Sequence, residues 1–265
     1  MTTIPTLLEM LKAGVHFGHR PTRWHPKMAP FIYGERGTVH VIDLEKTAEK
    51  LAEALAFVKE LGAAGKTILF VGSKRQAREI VKREALRAGQ PYVNERWLGG
   101  TLTNFGEISK LINSYRSTKK ALEVGELDKY TKKEQLEFKK KLAKQDATLV
   151  GLEHMNRPPD ALFIIDQREE KTAIREAKRI KTPVIAISDT NVNPEDVTHP
   201  IPANDDAVKS IDMITTLVAD AMIEGKTEYE KNRAVEMSAV AAAAAAAKAA
   251  SVQNAPRAMV IGESL

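Results

Sequence analysis

Basic and aromatic side chains alternate in one loop near the N-terminus, and their chemistry suits phosphate binding. Residues 15–27 contain Arg20, Arg23, Trp24 and Lys27 among glycines and prolines, which prevent regular secondary structure. RNA presents phosphates that attract cations and bases that stack on flat side chains, so this mixture favours RNA as the ligand. The alternative is an ordered loop whose Trp24 fills part of the core, and the two roles are compatible.

A second basic group stands where a helix is predicted to begin, directly after an apolar run at residues 67–71. Lys74, Arg75 and Arg78 fall on its first turns, where cations oppose the helix dipole at a cost of about 0.3–1 kcal/mol each. The free backbone N–H groups at the same end of a helix bind anions. We therefore predict that these three side chains face nucleic-acid phosphates.

Catalytic motifs are missing from the sequence. The run Gly65-Lys66-Thr67 resembles the end of a phosphate-binding P-loop, but Glu60 stands where that motif needs glycine, and the run enters a strand instead of a helix. Only Gly72 follows that strand, whereas a dinucleotide fingerprint needs three spaced glycines. There is no Gly-x-Ser-x-Gly elbow, no HExxH pair and no cysteine. A nucleotide-dependent enzyme is the alternative interpretation, and we expect neither catalysis nor a small-molecule substrate.

Apolar runs alternate with amphipathic helical patterns and predict the scaffold that positions these groups. The predicted parallel strands lie at residues 67–71, 92–93, 161–165 and 184–187, and near Ile201. The predicted helices between and after them lie at residues 74–88, 170–180 and 205–224. A short hairpin is predicted at residues 31–42, flanked by helices at residues 6–12 and 43–61. All-apolar strands alternating with helices indicate an α/β fold with a doubly wound parallel sheet.

The stretch at residues 105–150 interrupts this alternation and predicts an antiparallel helical hairpin, a short coiled coil that projects from the body. Its apolar residues recur at spacings of three and four on both arms, and a turn is predicted at residues 125–129. Its outer faces are rich in lysine, beginning with Lys110. The alternative is an ordinary solvated helix face, which is also rich in charge.

Charge divides the chain into a basic and an acidic part. Residues 1–150 contain 27 basic and 17 acidic residues, and residues 151–265 contain 13 and 18. The basic part favours a polyanionic partner, whereas the acidic part is predicted to be free or to face something other than nucleic acid. The lack of cysteine fits a reducing cytosol, and no run reaches the roughly 20 apolar residues of a membrane span.

Three segments together make the sequence similar to a known family. Residues 96–105 read RWLGGTLTNF, residues 8–19 read LEMLKAGVHFGH, and residues 159–166 read PDALFIID. In order and spacing, about residues 1–225 resemble the bacterial S-two family, the second protein of the small ribosomal subunit. The alanine-rich tail lies outside the resemblance.

The resemblance implies a flavodoxin-like domain at residues 1–104 and 151–225, interrupted by the hairpin at 105–150. For the tail at residues 226–265, the alanine-rich composition alone predicts a loosely held helix and then disorder. The resemblance also implies a structural role in the cytoplasmic ribosome. The partners would be small-subunit ribosomal RNA and neighbouring ribosomal proteins, including the mRNA-binding S-one family member. Arg96 and Trp97 join the RNA-binding candidates because they form another basic–aromatic cluster on a loop, and Asn104 and Lys110 follow them at the start of the hairpin.

A metal site is a further expectation that combines the family with geometry. The carboxyl ends of strands in a doubly wound sheet open into one crevice. Asp189 and Asp205 are predicted to lie there, and His19 would reach both if the N-terminal loop folds over that edge. An imidazole and two carboxylates could hold Zn²⁺ with water as the fourth ligand. In the alternative interpretation, Asp205 caps a helix, Asp189 lies in a turn and His19 faces RNA.

Overall fold

A parallel sheet of five strands organises the molecule. The computed structural model describes residues 3–125 and 131–253. In chain order, strands β3 to β7 are Ile68–Val71, Tyr92–Val93, Ala161–Ile164, Val184–Ser188 and His199–Pro202. They pair in the order β4-β3-β5-β6-β7, and each neighbouring pair is parallel. The separate antiparallel hairpin pairs β1, Ile32–Arg36, with β2, Val39–Ile42. The predicted α/β class is therefore confirmed.

Seven α-helices accompany the strands within the described residues. In chain order, α1 to α7 are Leu7–Ala13, Leu44–Ala63, Arg78–Ala88, Phe105–Glu123, Lys132–Leu149, Lys171–Ile180 and Val208–Gln253. Local chemistry fixes several ends. Thr6 and Glu9 form a reciprocal cap on α1, and Gly14 ends that helix with a φ of 77°. No helix among the described residues is both long enough and apolar enough to cross a membrane.

The sheet separates two layers of buried side chains. One layer includes Leu51, Val58 and Val218 on helices α2 and α7. The other includes Tyr115 and Leu149 on α4 and α5, together with neighbours from α6. The strands between them are buried on both faces, which explains why their sequences are continuously apolar.

Helix α7 corrects the predicted end of the last helix. The sequence pattern placed that end at Glu224, with a separate, loosely held helix expected beyond Gly225, but α7 continues without a break through Gly225 to Gln253. Gly225 packs against α2, where an added Cβ would lie 2.2 Å from the Lys59 carbonyl oxygen. This glycine therefore permits close helix packing and does not end the helix. The part of the predicted tail at residues 254–265 lies outside the described residues.

Two other helices begin later than predicted. Helix α3 begins at Arg78 and not at Lys74, and residues 74–77 form a turn. Helix α7 begins at Val208 and not at Asp205, because the Asn204 side chain accepts hydrogen bonds from the backbone of Asp206 and Ala207. Both turns direct polar side chains over the edge of the sheet.

The two helices of the 105–150 stretch contact each other and the sheet. The Tyr115 hydroxyl on α4 donates to Asp146 on α5 at 2.5 Å. Ile108, Ile112 and Tyr115 belong to the same buried layer as Leu69 of the central sheet. The base of this stretch is thus part of the core. Most of the predicted turn, at residues 126–129, lies outside the described residues.

Candidate nucleic-acid interface

Lys74 lies among carboxylates at the carboxyl ends of the sheet strands. Lys74 Nζ lies 2.7 Å from Asp205 Oδ1, 2.6 Å from Asp206 Oδ1 and 3.3 Å from Asp166 Oδ2. These residues follow strands β3, β5 and β7, so the parallel topology brings them together. Lys74 is mostly buried, and its ammonium group forms ion pairs with these carboxylates of the protein.

Burial and neighbouring charges shift the pKa values of Asp205 and Lys74 in this cluster. Burial and repulsion by Asp189 and Asp166 raise the pKa of Asp205 to about 7, although Lys74 opposes that shift. Burial lowers the pKa of Lys74, but attraction to the carboxylates, led by Asp205, outweighs it and the net pKa is raised. The ammonium therefore stays charged across physiological pH.

His19 joins the same edge from the N-terminal loop. Its Nδ1 lies 3.0 Å from Asp189 Oδ2, and its Nε2 lies 3.6 Å from Asp206 Oδ2. The hydrogen bond to Asp189 is the largest cause of a raised His19 pKa. Ligand atoms of His19, Asp205 and Asp206 lie within 4.8 Å of one another. Asp189, the other predicted ligand, contacts His19 but is not in this group, and its Oδ1 accepts from the backbone and hydroxyl of Thr190.

The N-terminal loop is anchored along its length by backbone contacts. Gly18 N donates to the His40 carbonyl at 2.9 Å, and His25 N donates to the Thr190 carbonyl at 2.8 Å. A Cβ on Gly18 would lie 2.6 Å from Thr190 Cγ2, so the close approach needs glycine. This anchoring fixes the loop over the sheet edge and sets where its cations point.

The basic side chains of this loop differ in whether an acidic residue of the protein pairs with them. Arg20 and Arg23 are exposed and have no carboxylate within 4.0 Å among the described residues. Lys27 forms an ion pair with Glu195. Trp24 stacks on His40, with ring centroids 5.4 Å apart, and stays 40% exposed. Its ring therefore packs on the protein and still presents surface to a ligand.

The helix-start and signature residues also separate into exposed and engaged groups. Arg75 and Arg96 are exposed. Arg78 donates to the Ser73 carbonyl at 2.9 Å and pairs with Glu95 at 2.7 Å. On helix α4, Lys110 pairs with the adjacent Glu107 at 2.7 Å. Asn104 is exposed at the N-cap of that helix, without a side-chain capping bond.

Glu176 holds the signature loop, a role that spacing alone does not reveal. Its carboxylate accepts from Trp97 Nε1 at 3.0 Å and from the backbone N–H groups of Gly100 at 2.8 Å and Leu102 at 3.0 Å. Burial raises the Glu176 pKa, but these hydrogen bonds outweigh burial and leave the pKa lowered. A glutamate on the apolar face of α6 is the sequence signal that could have found this site.

Comparisons with known proteins agree on one family. A family model described as ribosomal protein S2 matches residues 10–225. The small ribosomal subunit protein uS2 of Coprothermobacter proteolyticus is 50% identical over 223 residues, which cover 84% of this chain and 83% of that protein. The match spans the sheet, the α4–α5 stretch and the edge that carries His19 and Lys74.

Proposed function

The chain belongs to the ribosomal protein S2 family, and from this premise we propose that it is a structural constituent of the small ribosomal subunit, without catalytic activity, that binds ribosomal RNA during translation. The observation that carries the proposal is the family match, which extends over nearly the whole folded part of the chain. The cytoplasmic ribosome is the corresponding location. We propose that the protein requires no cofactor.

We assign the RNA contact first to the exposed, unpaired arginines. Arg20, Arg23, Arg75 and Arg96 are available because no carboxylate among the described residues neutralises them. Arg20 and Arg23 border a cavity of about 590 Å³ at the sheet edge, and Trp24 adjoins them with an exposed ring. Guanidinium groups with an adjacent aromatic surface fit phosphate and base recognition in RNA.

Most of the remaining predicted contacts have competing partners inside the protein. Lys27 and Arg78 could still reach RNA by exchanging their surface carboxylates for phosphate. For Lys74, the surrounding carboxylates favour a structural role. For Trp97, the hydrogen bond to Glu176 favours positioning of the signature loop. Asn104 and Lys110 lie on the exposed start of α4 and stay candidates for direct contact.

The α4–α5 stretch is proposed to act as an antiparallel coiled-coil hairpin that extends the RNA-binding surface beyond the domain at residues 1–104 and 151–225. Support comes from the contact between Tyr115 and Asp146 and from the density of exposed lysines on both helices. The seam is buried near the sheet and its outer faces are exposed. Such an arm can follow an RNA backbone through charge alone.

Docking of the mRNA-binding S-one family protein is the proposed second role. Its support is the family membership together with the acidic net charge of residues 151–265, which suits a protein partner wherever that part has no local cluster of basic side chains. Subunits carrying or lacking this chain should therefore differ in the amount of S-one family protein that they retain.

Zinc binding is a second candidate, favoured by the grouping of His19, Asp205 and Asp206. Lys74 already supplies a positive charge to both aspartates, so a bound ion would have to displace its ammonium group. Zinc content after dialysis should be lower in His19→Ala than in the unmodified chain if the ion binds there. Equal zinc in the two proteins would remove the candidate.

Co-sedimentation tests the main proposal against the enzyme alternative. The purified chain should sediment with small ribosomal subunits that lack their own copy of this protein. It should not retain a labelled mononucleotide. Retention of the nucleotide without sedimentation would favour the enzyme alternative.

A further inference from the structure

A basic groove lies between the N-terminal loop and helix α6, and the sequence motifs did not indicate it. Its volume is about 780 Å³. The cationic side chains that line it are Arg23, Arg168, Lys171, Arg175 and Lys178. Asp196 is the acidic residue in its lining, and it pairs with Lys178 at 2.5 Å.

The cations of the groove form a regular row. Lys171, Arg175 and Lys178 are spaced by four and three residues, so they share one face of α6 and cover about 10 Å along its axis. Arg168 extends the row in the turn before the helix, and Arg23 faces it from the N-terminal loop. The opposite face of α6 is buried through Ala173 and Ala177.

Most of these basic side chains have no acidic partner among the described residues, which distinguishes them from other basic residues of the protein. Many other basic residues are paired: Arg83 with Asp212 and Arg87 with Asp220, for example. Arg168, Lys171 and Arg175 are exposed and, among the described residues, have no carboxylate within 4.0 Å. Exposed like charges held side by side repel one another, and an external polyanion would relieve that repulsion.

Asn191 borders the groove, but its Oδ1 is buried and therefore does not decide between kinds of polyanion. The choice rests on charge, because Arg168, Lys171 and Arg175 are exposed cations of the kind that bind closely spaced backbone phosphates. RNA is the polyanion that the proposed function already supplies, and an acidic protein surface is the alternative that the test separates.

We propose that this groove is a second RNA-binding surface, in which Arg168, Lys171 and Arg175 contact backbone phosphates and Arg23 links it to the N-terminal loop. The proposal rests on the proposed RNA-binding function. It adds residues on the exposed face of α6, whereas Glu176 holds the signature loop from the inner face of that helix. Helix α6 then serves two purposes, because its inner face holds that loop while its outer face binds RNA.

The test measures binding of the full chain to small-subunit ribosomal RNA as salt concentration is varied. The variant Arg168→Gln/Lys171→Gln/Arg175→Gln removes three groove charges. The control Lys12→Gln/Lys66→Gln/Lys82→Gln removes three exposed charges elsewhere. Both triples change only exposed side chains, and equal thermal melting would confirm that both fold.

The groove triple should bind at least tenfold more weakly, and its plot of log affinity against log salt should be shallower by about 2–3, the loss expected for three phosphate contacts. The control should keep the wild-type slope. Equal slopes for both triples, with the wild type still binding RNA, would overturn the groove proposal alone. The groove proposal would also be overturned if the groove variant bound RNA normally but no longer joined subunits, because that result would assign the groove to a protein partner. A wild-type chain that binds no RNA would contradict the proposed function itself.

Discussion

The Trp97 indole N–H donates to the Glu176 carboxylate at 3.0 Å and ties helix α6 to the loop that leads into α4. Because the backbone N–H groups of Gly100 and Leu102 converge on the same carboxylate, one side chain fixes the whole signature loop. The family signature at residues 96–105 therefore has a structural role, and its tryptophan is hydrogen-bonded inside the protein.

Replacing Glu176 by alanine should destabilise the fold. The substitution leaves several buried N–H groups without an acceptor, and each such loss costs about 1–3 kcal/mol. We expect the free energy of unfolding to fall by about 3 kcal/mol or more in urea titrations. Glu169→Ala changes an exposed glutamate close to the same helix and serves as the control. Equal stability of the two variants would refute the anchoring role.

The pH dependence of Glu176 follows from its lowered pKa. A carboxyl group whose folded-state pKa lies below its unfolded value of about 4.3 stabilises the fold above that pH. The stabilisation disappears as the pH falls through the folded-state pKa. The stability difference between wild type and Glu176→Gln should therefore be full at pH 6 and shrink below about pH 4. A difference that stays constant from pH 6 to pH 3 would show that charge plays no part.

Removing the Lys74 ammonium should strand the carboxylates at the sheet edge. Asp205 is buried, and breaking a buried ion pair on one side costs about 3–5 kcal/mol. We expect Lys74→Met to lose about 3 kcal/mol, near the lower end, since Asp206 is half exposed. Lys82→Met, at an exposed position on α3, is the matched control. If Lys74→Met were as stable as that control, Lys74 would be available for phosphate after all.

The α4–α5 arm should be removable only beyond its base. Replacing residues 119–142 with a short Gly/Ser linker should leave a cooperatively folding protein with reduced affinity for small subunits. Replacing residues 107–147 should abolish cooperative melting, because Ile112 and Tyr115 pack in the core of the sheet. Circular dichroism during heating separates the two variants. Cooperative melting of the longer deletion would show that the arm folds independently of the sheet.

Local patterns predicted the strands well and the sheet edge less well, for physical reasons. The strands at residues 68–71 and 161–164 are continuously apolar because both faces are covered, and a sequence displays that directly. The partners of Lys74 lie 92 to 132 positions away in the chain, so its cationic character alone suggested phosphate. Gly225 looked like a helix end because its close packing partner, Lys59, is even more remote in the chain.

The groove residues escaped prediction for a related reason. Lys171 and Arg175 are ordinary exposed positions of an amphipathic helix in the sequence, and only the fold places Arg23 opposite them. His19 lies beside Asp189, as the sheet topology suggested, and also beside Asp206, which the sequence pattern did not include. Metal binding by this group stays a prediction.

The most direct test of RNA binding by the exposed arginines follows sedimentation with small ribosomal subunits that lack their own copy of this protein. The wild-type chain and the variant Arg20→Gln/Arg23→Gln/Arg75→Gln/Arg96→Gln are compared as salt is raised. The account predicts that the wild type sediments with the subunits. It also predicts that the variant dissociates at lower salt, with a slope shallower by about 3 if all four side chains contact phosphates. A wild-type chain that stays in the supernatant, or a variant with an unchanged slope, would contradict the account.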